Sequence, residues 1–250
     1  VVWGFAFVPQ KWTVVALPPL SATALRVAVA AALAVVVAVV RGSFRAPGIK
    51  VRSALLIGAL LFVIYVLQTA ALVYAPVARV SLITGMYAVF VPLFAPLLGH
   101  ARPTSAHWGG AALAFVGLLG LTGVVGNSDD LLAVPLNIGD VLVLLHAILS
   151  AFQVLLIGRV AAKADPFALN AMQLVTVLAL AIPAALVVDG VPDLGVLSMK
   201  TWASFGYLAA FSTVLAFTCQ IAGQRHTSPP TAAVIMLHET PVGVLAALLF

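Results

Sequence analysis

Nine predominantly apolar runs of close to 20 residues leave this chain few folds to choose from. They lie at about 1–17, 20–40, 53–73, 80–98, 108–125, 138–157, 168–188, 202–222 and 231–250. None alternates polar with apolar residues as a half-buried strand does. Twenty apolar residues at a 1.5 Å rise match a hydrocarbon core of about 30 Å. Inside that core every backbone N–H and C=O needs an internal partner, which a helix supplies and an open loop does not. The expected fold is therefore all-α: a polytopic membrane helix bundle with about nine spans. A hydrophobic fraction of 64% and a charged fraction of 8% exclude an ordinary soluble domain, where the figures are roughly 45–50% and 25%.

The formal charge of +5 does not point to nucleic acid, because the basic residues fall between the apolar runs rather than on one face. Connections after spans 2, 4, 6 and 8 hold Arg41, Arg45, Lys50, Arg52, Arg102, Arg159, Lys163 and Arg225. Those after spans 1, 3, 5 and 7 hold Lys11, Arg79 and Lys200 beside Asp129, Asp130, Asp189 and Asp193. The excess of Lys and Arg puts the even connections in the cytoplasm and makes the cytoplasmic membrane the expected location. A single cysteine, Cys219, excludes an intrachain disulfide and a cysteine-based zinc site. There is no basic leader or small-residue cleavage site at the start. The chain opens inside one apolar run and closes at the end of another, as a piece of a longer protein would.

Glu239 is the only glutamate, and it lies inside the last run. Eight residues past Thr231 it is roughly 12 Å into the core, near the midplane. A charged side chain there costs roughly 2.5–3.5 kcal/mol on insertion scales, so such residues face a cavity or a partner. Pro241, two residues on, has no N–H to donate to Leu237 and its ring crowds that carbonyl, so a helix break is expected at Pro241.

The two halves echo one another. Pro19 and Arg26 correspond to Pro166 and Gln173 at an offset of 147, and Lys11 to Arg159 at 148. Gln68 corresponds to Gln220, and Tyr87 to Glu239, at 152. Two units are expected, residues 1–126 with spans 1–5 and residues 138–250 with spans 6–9. Five spans is an odd number, so the second copy enters the membrane upside down. Inverted repeats are the mark of alternating-access carriers, with the solute site at the midplane.

Trp3-Gly4-Phe5-Ala6-Phe7 through Lys11, then Pro18-Pro19 and Leu25-Arg26, resemble the opening of EamA-type members of the drug/metabolite transporter superfamily. So do Thr84-Gly85-Met86-Tyr87 through Pro92, Ala151-Phe152-Gln153 leading to Gly158-Arg159, and Asp165-Pro166. Thr227-Ser228-Pro229-Pro230-Thr231 followed by Glu239 resembles the signature of the second repeat. The resemblance covers nearly the whole chain. It implies ten helices in two inverted five-helix repeats, with the tenth missing here, and export or exchange of small metabolites. The chain departs from the family where Thr240 separates Glu239 from Pro241 and where Ser150 stands in place of a tryptophan.

Candidate solute or coupling residues follow from polarity at depth. Glu239 leads, as a proton-coupling or solute-binding group. Arg26 lies deeper in span 2 than snorkelling requires, and its guanidinium suits a carboxylate or phosphate. Lys11, Tyr87, Gln68, Gln153, Gln173, Gln220 and His146 complete the set, against the alternative of interhelical hydrogen bonds worth roughly 0.6 kcal/mol. No catalytic or metal motif is present: His238-Glu239 begins like a zinc-protease signature but lacks the second histidine. No cofactor or metal is expected. The expected partners are a small-molecule solute, the lipid bilayer and protons, with a homodimer as a candidate assembly. The rival reading is an integral membrane enzyme acting on a lipid-linked substrate.

Overall fold

The computed structural model describes residues 1–45, 51–125 and 135–250. Lys50, the Gly126-Asn127-Ser128 turn and the Asp129-Asp130 pair lie outside the described residues.

Every predicted span is helical. Span 1 is α1 (Val2–Ala16), span 2 is α2 (Pro19–Val40) and span 3 is α3 (Val51–Tyr74). Span 4 consists of α4 (Val77–Thr84) and α5 (Tyr87–Phe94), span 5 is α6 (Ser105–Val125), span 6 is α7 (Ile138–Val160) and span 7 is α8 (Pro166–Val188). Span 8 runs from α9 (Met199–Tyr207) through a π-helical stretch, Leu208–Leu215, into α10 (Ala216–Gln224), and span 9 consists of α11 (Pro229–Met236) and α12 (Glu239–Leu249). Among the described residues, seven of these spans are both long and apolar enough to cross a bilayer. The remaining two are α1, whose 15 residues are short for a crossing, and α6.

The helix ends follow from local chemistry. Asn137 caps α7 through a reciprocal box: its Oδ1 accepts from the Gly139 N–H at 2.7 Å, and Asp140 Oδ2 accepts from the Asn137 N–H at 2.8 Å. Asp165 caps α8, accepting from the N–H groups of Phe167 and Ala168, with Pro166 in the first turn, where a missing N–H costs nothing. The equivalent start of α2 follows Pro18, which has no side chain able to accept. There the cap comes from the other half: Asp189, at the end of α8, accepts from the Ser21 N–H at 2.7 Å and its hydroxyl at 2.9 Å.

Packing uses small residues on inner faces. On α2, Val27, Ala30, Ala31, Ala34 and Ala38 are buried, whereas Val29, Leu33, Val36 and Val40 are exposed. The alanine face lies along α8, where Ala171, Leu174 and Val177 answer it. Lipid is as apolar as the interior, so close backbone approach, not burial of large side chains, holds such a pair.

The contacts between spans come in matched sets. Span 1 packs on span 9 and span 6 on span 4. Span 3 packs on spans 6 and 7, and span 8 on spans 1 and 2. Spans 2 and 7 pair, as do spans 4 and 9. Exchanging each span of the first half with its counterpart five places on turns every one of these contacts into another of the set.

The sequence pattern places Arg79 in the connection after span 3. It lies inside α4, buried, and its Nε is 2.7 Å from Asp140 Oδ1 on α7. The positive charge is thus part of a buried ion pair between spans 4 and 6 rather than a topology signal.

Candidate functional site

Spans 4 and 9 break at equivalent points. The helix stops after Thr84 and resumes at Tyr87. In span 9 it stops after Met236 and resumes at Glu239. Each of these positions is related to its counterpart by the offset of 152 that relates Gln68 to Gln220. The hydrogen bonds at the breaks match as well: the Ala88 N–H donates to the Gly85 carbonyl at 3.1 Å and the Thr240 N–H to the Leu237 carbonyl at 2.9 Å. Both are tightened, three-residue bonds.

The expected break at Pro241 is therefore displaced. It falls at Leu237 and His238, and Pro241 sits in the first turn of α12. The physical reason is the one that singled out Pro241. It cannot donate to the Leu237 carbonyl, so Thr240 takes that acceptor and the chain reorients upstream of the proline. The consequence for Glu239 is direct: it opens a new helix rather than sitting inside an old one.

The two breaks lie against one another. A Cβ added to Gly85 would meet Thr240 Oγ1 at 2.5 Å and Leu237 Cδ1 at 3.0 Å. Ser81 on α4 donates to the Thr240 carbonyl at 3.1 Å. Span 1 closes on the same place: a Cβ on Gly4 would stand 2.5 Å from the Glu239 carbonyl oxygen and 2.6 Å from Val242 Cβ.

Between the halves is a cavity with about 80 Å³ of room for the centres of water-sized molecules. At roughly 10–15 Å³ for each water, that admits only a handful, and an adjoining recess of about 420 Å³ shares Trp3, Gln220, Met236 and Glu239 with it. Most of the wall is paired between the halves. Trp3, Ala6 and Phe7 line it together with Ser150, Gln153 and Val154, each at an offset of 147. Tyr65, Gln68, Thr84 and Tyr87 line it together with Phe217, Gln220, Met236 and Glu239, each at 152. The repeat seen in the sequence is thus written into the cavity wall.

Of the sequence candidates, Glu239, Arg26, Tyr87, Gln68, Gln153, Gln220 and His146 line this cavity. Glu239 is buried and lines the cavity together with Tyr87, whose hydroxyl is buried without a hydrogen-bond partner among the described residues. No Lys, Arg or His nitrogen stands within 4 Å of its carboxyl among the described residues. Arg26 is also buried, at 5% exposure. Its Nε donates to Thr213 Oγ1 at 2.9 Å and its Nη2 to Ser212 Oγ at 3.2 Å, and its guanidinium lies 4.4 Å from the Tyr65 ring centroid. His146 Nδ1 is 3.1 Å from the Ile64 carbonyl, which can only accept, so that nitrogen carries the hydrogen. Its Nε2 is left to accept from Gln68 Nε2 at 3.4 Å.

Two candidates are not at the cavity. Lys11 donates to the Leu72 carbonyl, tying α1 to α3. Gln173 donates to Asn170 Oδ1 at 2.7 Å, and Asn170 in turn donates to the Val214 carbonyl and to Thr218. That network staples α8 to span 8. The counterpart of Arg26 in the second half is therefore structural.

Sequence reasoning missed Gln10, Thr84, Ser150 and Ser212 as lining residues and Thr213 as the second anchor of Arg26. The π-helical stretch carries both Arg26 acceptors, and the Ser212 carbonyl also accepts from the Trp3 indole at 2.8 Å. Such widened turns recur at functional sites. The one available signal was the adjacent pair of hydroxyls in an otherwise apolar run.

A bundle of membrane-length helices around a small, mostly apolar cavity, with two broken spans meeting beside it, defines the class: a multi-pass membrane protein of the transporter-like kind. The EamA-like transporter family model matches residues 1–123 and again residues 137–250, and the chain belongs to that family. The enzymatic alternative is not favoured. A solved structure described as "Crystal structure of protein" has the same fold, with a TM-score of 0.72 at 18% identity over 98% of this chain and 85% of that one. No curated protein compared with the chain matches it.

Proposed function

We propose that the protein carries a small organic solute across the cytoplasmic membrane by alternating access, in the direction of export, with proton movement coupled at Glu239. The two halves are inverted copies that rock about the central cavity, opening it to one side at a time. The observation that carries this reading is the pair of equivalent breaks, at Gly85 and at Leu237, lying against one another beside the cavity. A broken helix has backbone free to bend, and two breaks related by the repeat offer the same hinge to each direction of opening.

Glu239 suits coupling because a midplane carboxyl that exchanges a proton changes the charge of the cavity by one unit. The test is flux in proteoliposomes under an imposed pH gradient. Glu239→Gln should abolish gradient-driven flux while leaving exchange down a solute gradient. Undiminished gradient-driven flux in that variant would remove Glu239 from the coupling mechanism.

A further inference from the structure

The turns that end α2 and α8 are copies of one another. Arg41 closes α2 and Asp189 closes α8, and each is followed by a glycine in the left-handed region, Gly42 at φ 67° and Gly190 at φ 79°. Both pairs stand at the offset of 148 that relates Lys11 to Arg159. Each turn also reaches the start of the helix from the other half. At the outer end Asp189 caps α2 through Ser21, because Pro18 offers no side-chain acceptor. The opposite end is the one that the lysine and arginine distribution assigns to the cytoplasm. There Arg41 lies over the Phe167 ring at the start of α8, 4.2 Å from its centroid. The α8 start makes no use of Arg41, since Asp165 already accepts from the Phe167 and Ala168 N–H groups.

Arg41 is thus held by its ring contact with all its N–H donors unspent. Neither it nor Arg45 has a hydrogen-bond or ion-pair partner among the described residues. Both line a recess of about 560 Å³, together with Val39, Val40 and Phe44. The short turn Ser43–Arg45, which carries Phe44 and Arg45, packs on both α2 and α8. Towards the membrane interior, Val36, Val39 and Val40 form an exposed stripe at helical spacing, and Phe44 is exposed as well.

We infer that this recess binds an anionic phospholipid of the cytoplasmic leaflet, its phosphate held by Arg41 and Arg45 and its acyl chain laid along Val36, Val39 and Val40. A guanidinium whose face is taken by an aromatic ring keeps its edges for phosphate oxygens, which it can grip with two parallel bonds. Basic pockets between spans on the cytoplasmic side suit anionic headgroups. The apolar stripe favours a lipid over free phosphate, because contact along the acyl chain adds to the attraction of the headgroup. A zwitterionic headgroup brings an ammonium towards two cations and is disfavoured. The bound phosphate joins the two halves at this end, as Asp189 joins them at the other.

The test titrates the purified, delipidated protein in detergent with dioleoylphosphatidylglycerol, dioleoylphosphatidylcholine or glycerol 3-phosphate, and reads thermal stabilisation. Phosphatidylglycerol should stabilise at the lowest concentration, and glycerol 3-phosphate at that concentration should leave Tm unchanged. Arg41→Gln combined with Arg45→Gln should raise the half-saturating phosphatidylglycerol concentration about thirtyfold, the value of two basic residues at an anionic surface. Should the double variant fail to fold, Arg45→Gln alone should raise it about fivefold. Arg225→Gln, at an exposed arginine in another even-numbered connection, should leave it unchanged.

Equal stabilisation by phosphatidylcholine would overturn the inference. So would equal stabilisation by glycerol 3-phosphate, which would make the site one for soluble phosphate. An effect of Arg225→Gln as large as that of the recess variants would also overturn it, because the attraction would then be diffuse and no site would exist.

Discussion

Gly4→Ala is the sharpest probe of how α1 meets the start of α12. The added Cβ would stand 2.5 Å from the Glu239 carbonyl oxygen, 2.6 Å from Val242 Cβ and 2.7 Å from Val242 Cγ1. Two of these atoms are backbone or directly attached to it, so neither can swing aside. Ordinary contact begins near 3.4 Å, which asks the two helices to separate by about 0.9 Å (3.4 − 2.5). Overpacking of this kind costs about 1–3 kcal/mol. For a protein of this size each kcal/mol is worth about 2–4 °C in Tm. The variant should therefore unfold about 2–12 °C below wild type in detergent, and its Glu239-dependent flux should fall, because the displaced atom belongs to Glu239 itself. Gly109→Ala is the control. No atom lies within 4 Å of its Cβ position on α6, so the better helix former should raise stability by up to about 1 kcal/mol. Equal behaviour of the two variants by thermal unfolding would refute the close approach of α1 to Glu239.

Three further outcomes are expected. Asp140→Asn removes the charge facing Arg79 across 2.7 Å and should cost about 3–5 kcal/mol; a loss below 1 kcal/mol in denaturant unfolding would show that the pair contributes nothing. Asp189→Ala takes away the acceptor for the first turn of α2, worth about 0.5–2 kcal/mol; hydrogen exchange should rise at the Ser21 amide and stay unchanged across the α8 start, which Asp165 caps by itself. Tyr87→Phe deletes the unpartnered hydroxyl that lines the cavity with Glu239 and should lower pH-driven flux severalfold; wild-type flux would show that the phenol plays no part.

The helical fold was legible because lipid leaves the backbone no alternative, and nine apolar runs state it plainly. The cavity was legible in part because a repeat leaves a numerical trace. The offset of 152 that joins Gln68 to Gln220 also joins Tyr87 to Glu239, and both pairs meet at the cavity. What escaped was decided by competition between neighbours. Lys11 found the Leu72 carbonyl and Gln173 found Asn170, choices that depend on which helices adjoin and that no single run records. Ser212 and Thr213 carry no charge and hardly disturb the hydropathy of span 8. Their role depends on a widened turn that aims both hydroxyls at Arg26. Pro241 marks a fault in the ladder, but the break falls upstream, at the carbonyl four residues back that the proline cannot reach.

The central claim is that one cavity opens alternately to the two sides of the membrane. Thr84 lines that cavity beside the break in span 4, and the only native cysteine, Cys219, is exposed and is replaced by serine for the experiment. Thr84→Cys in sealed vesicles is then offered a membrane-impermeant maleimide from the inside or from the outside. Alternating access predicts labelling from both sides, with solute shifting the ratio of the two rates. Labelling from one side only, whatever the solute, would contradict the account.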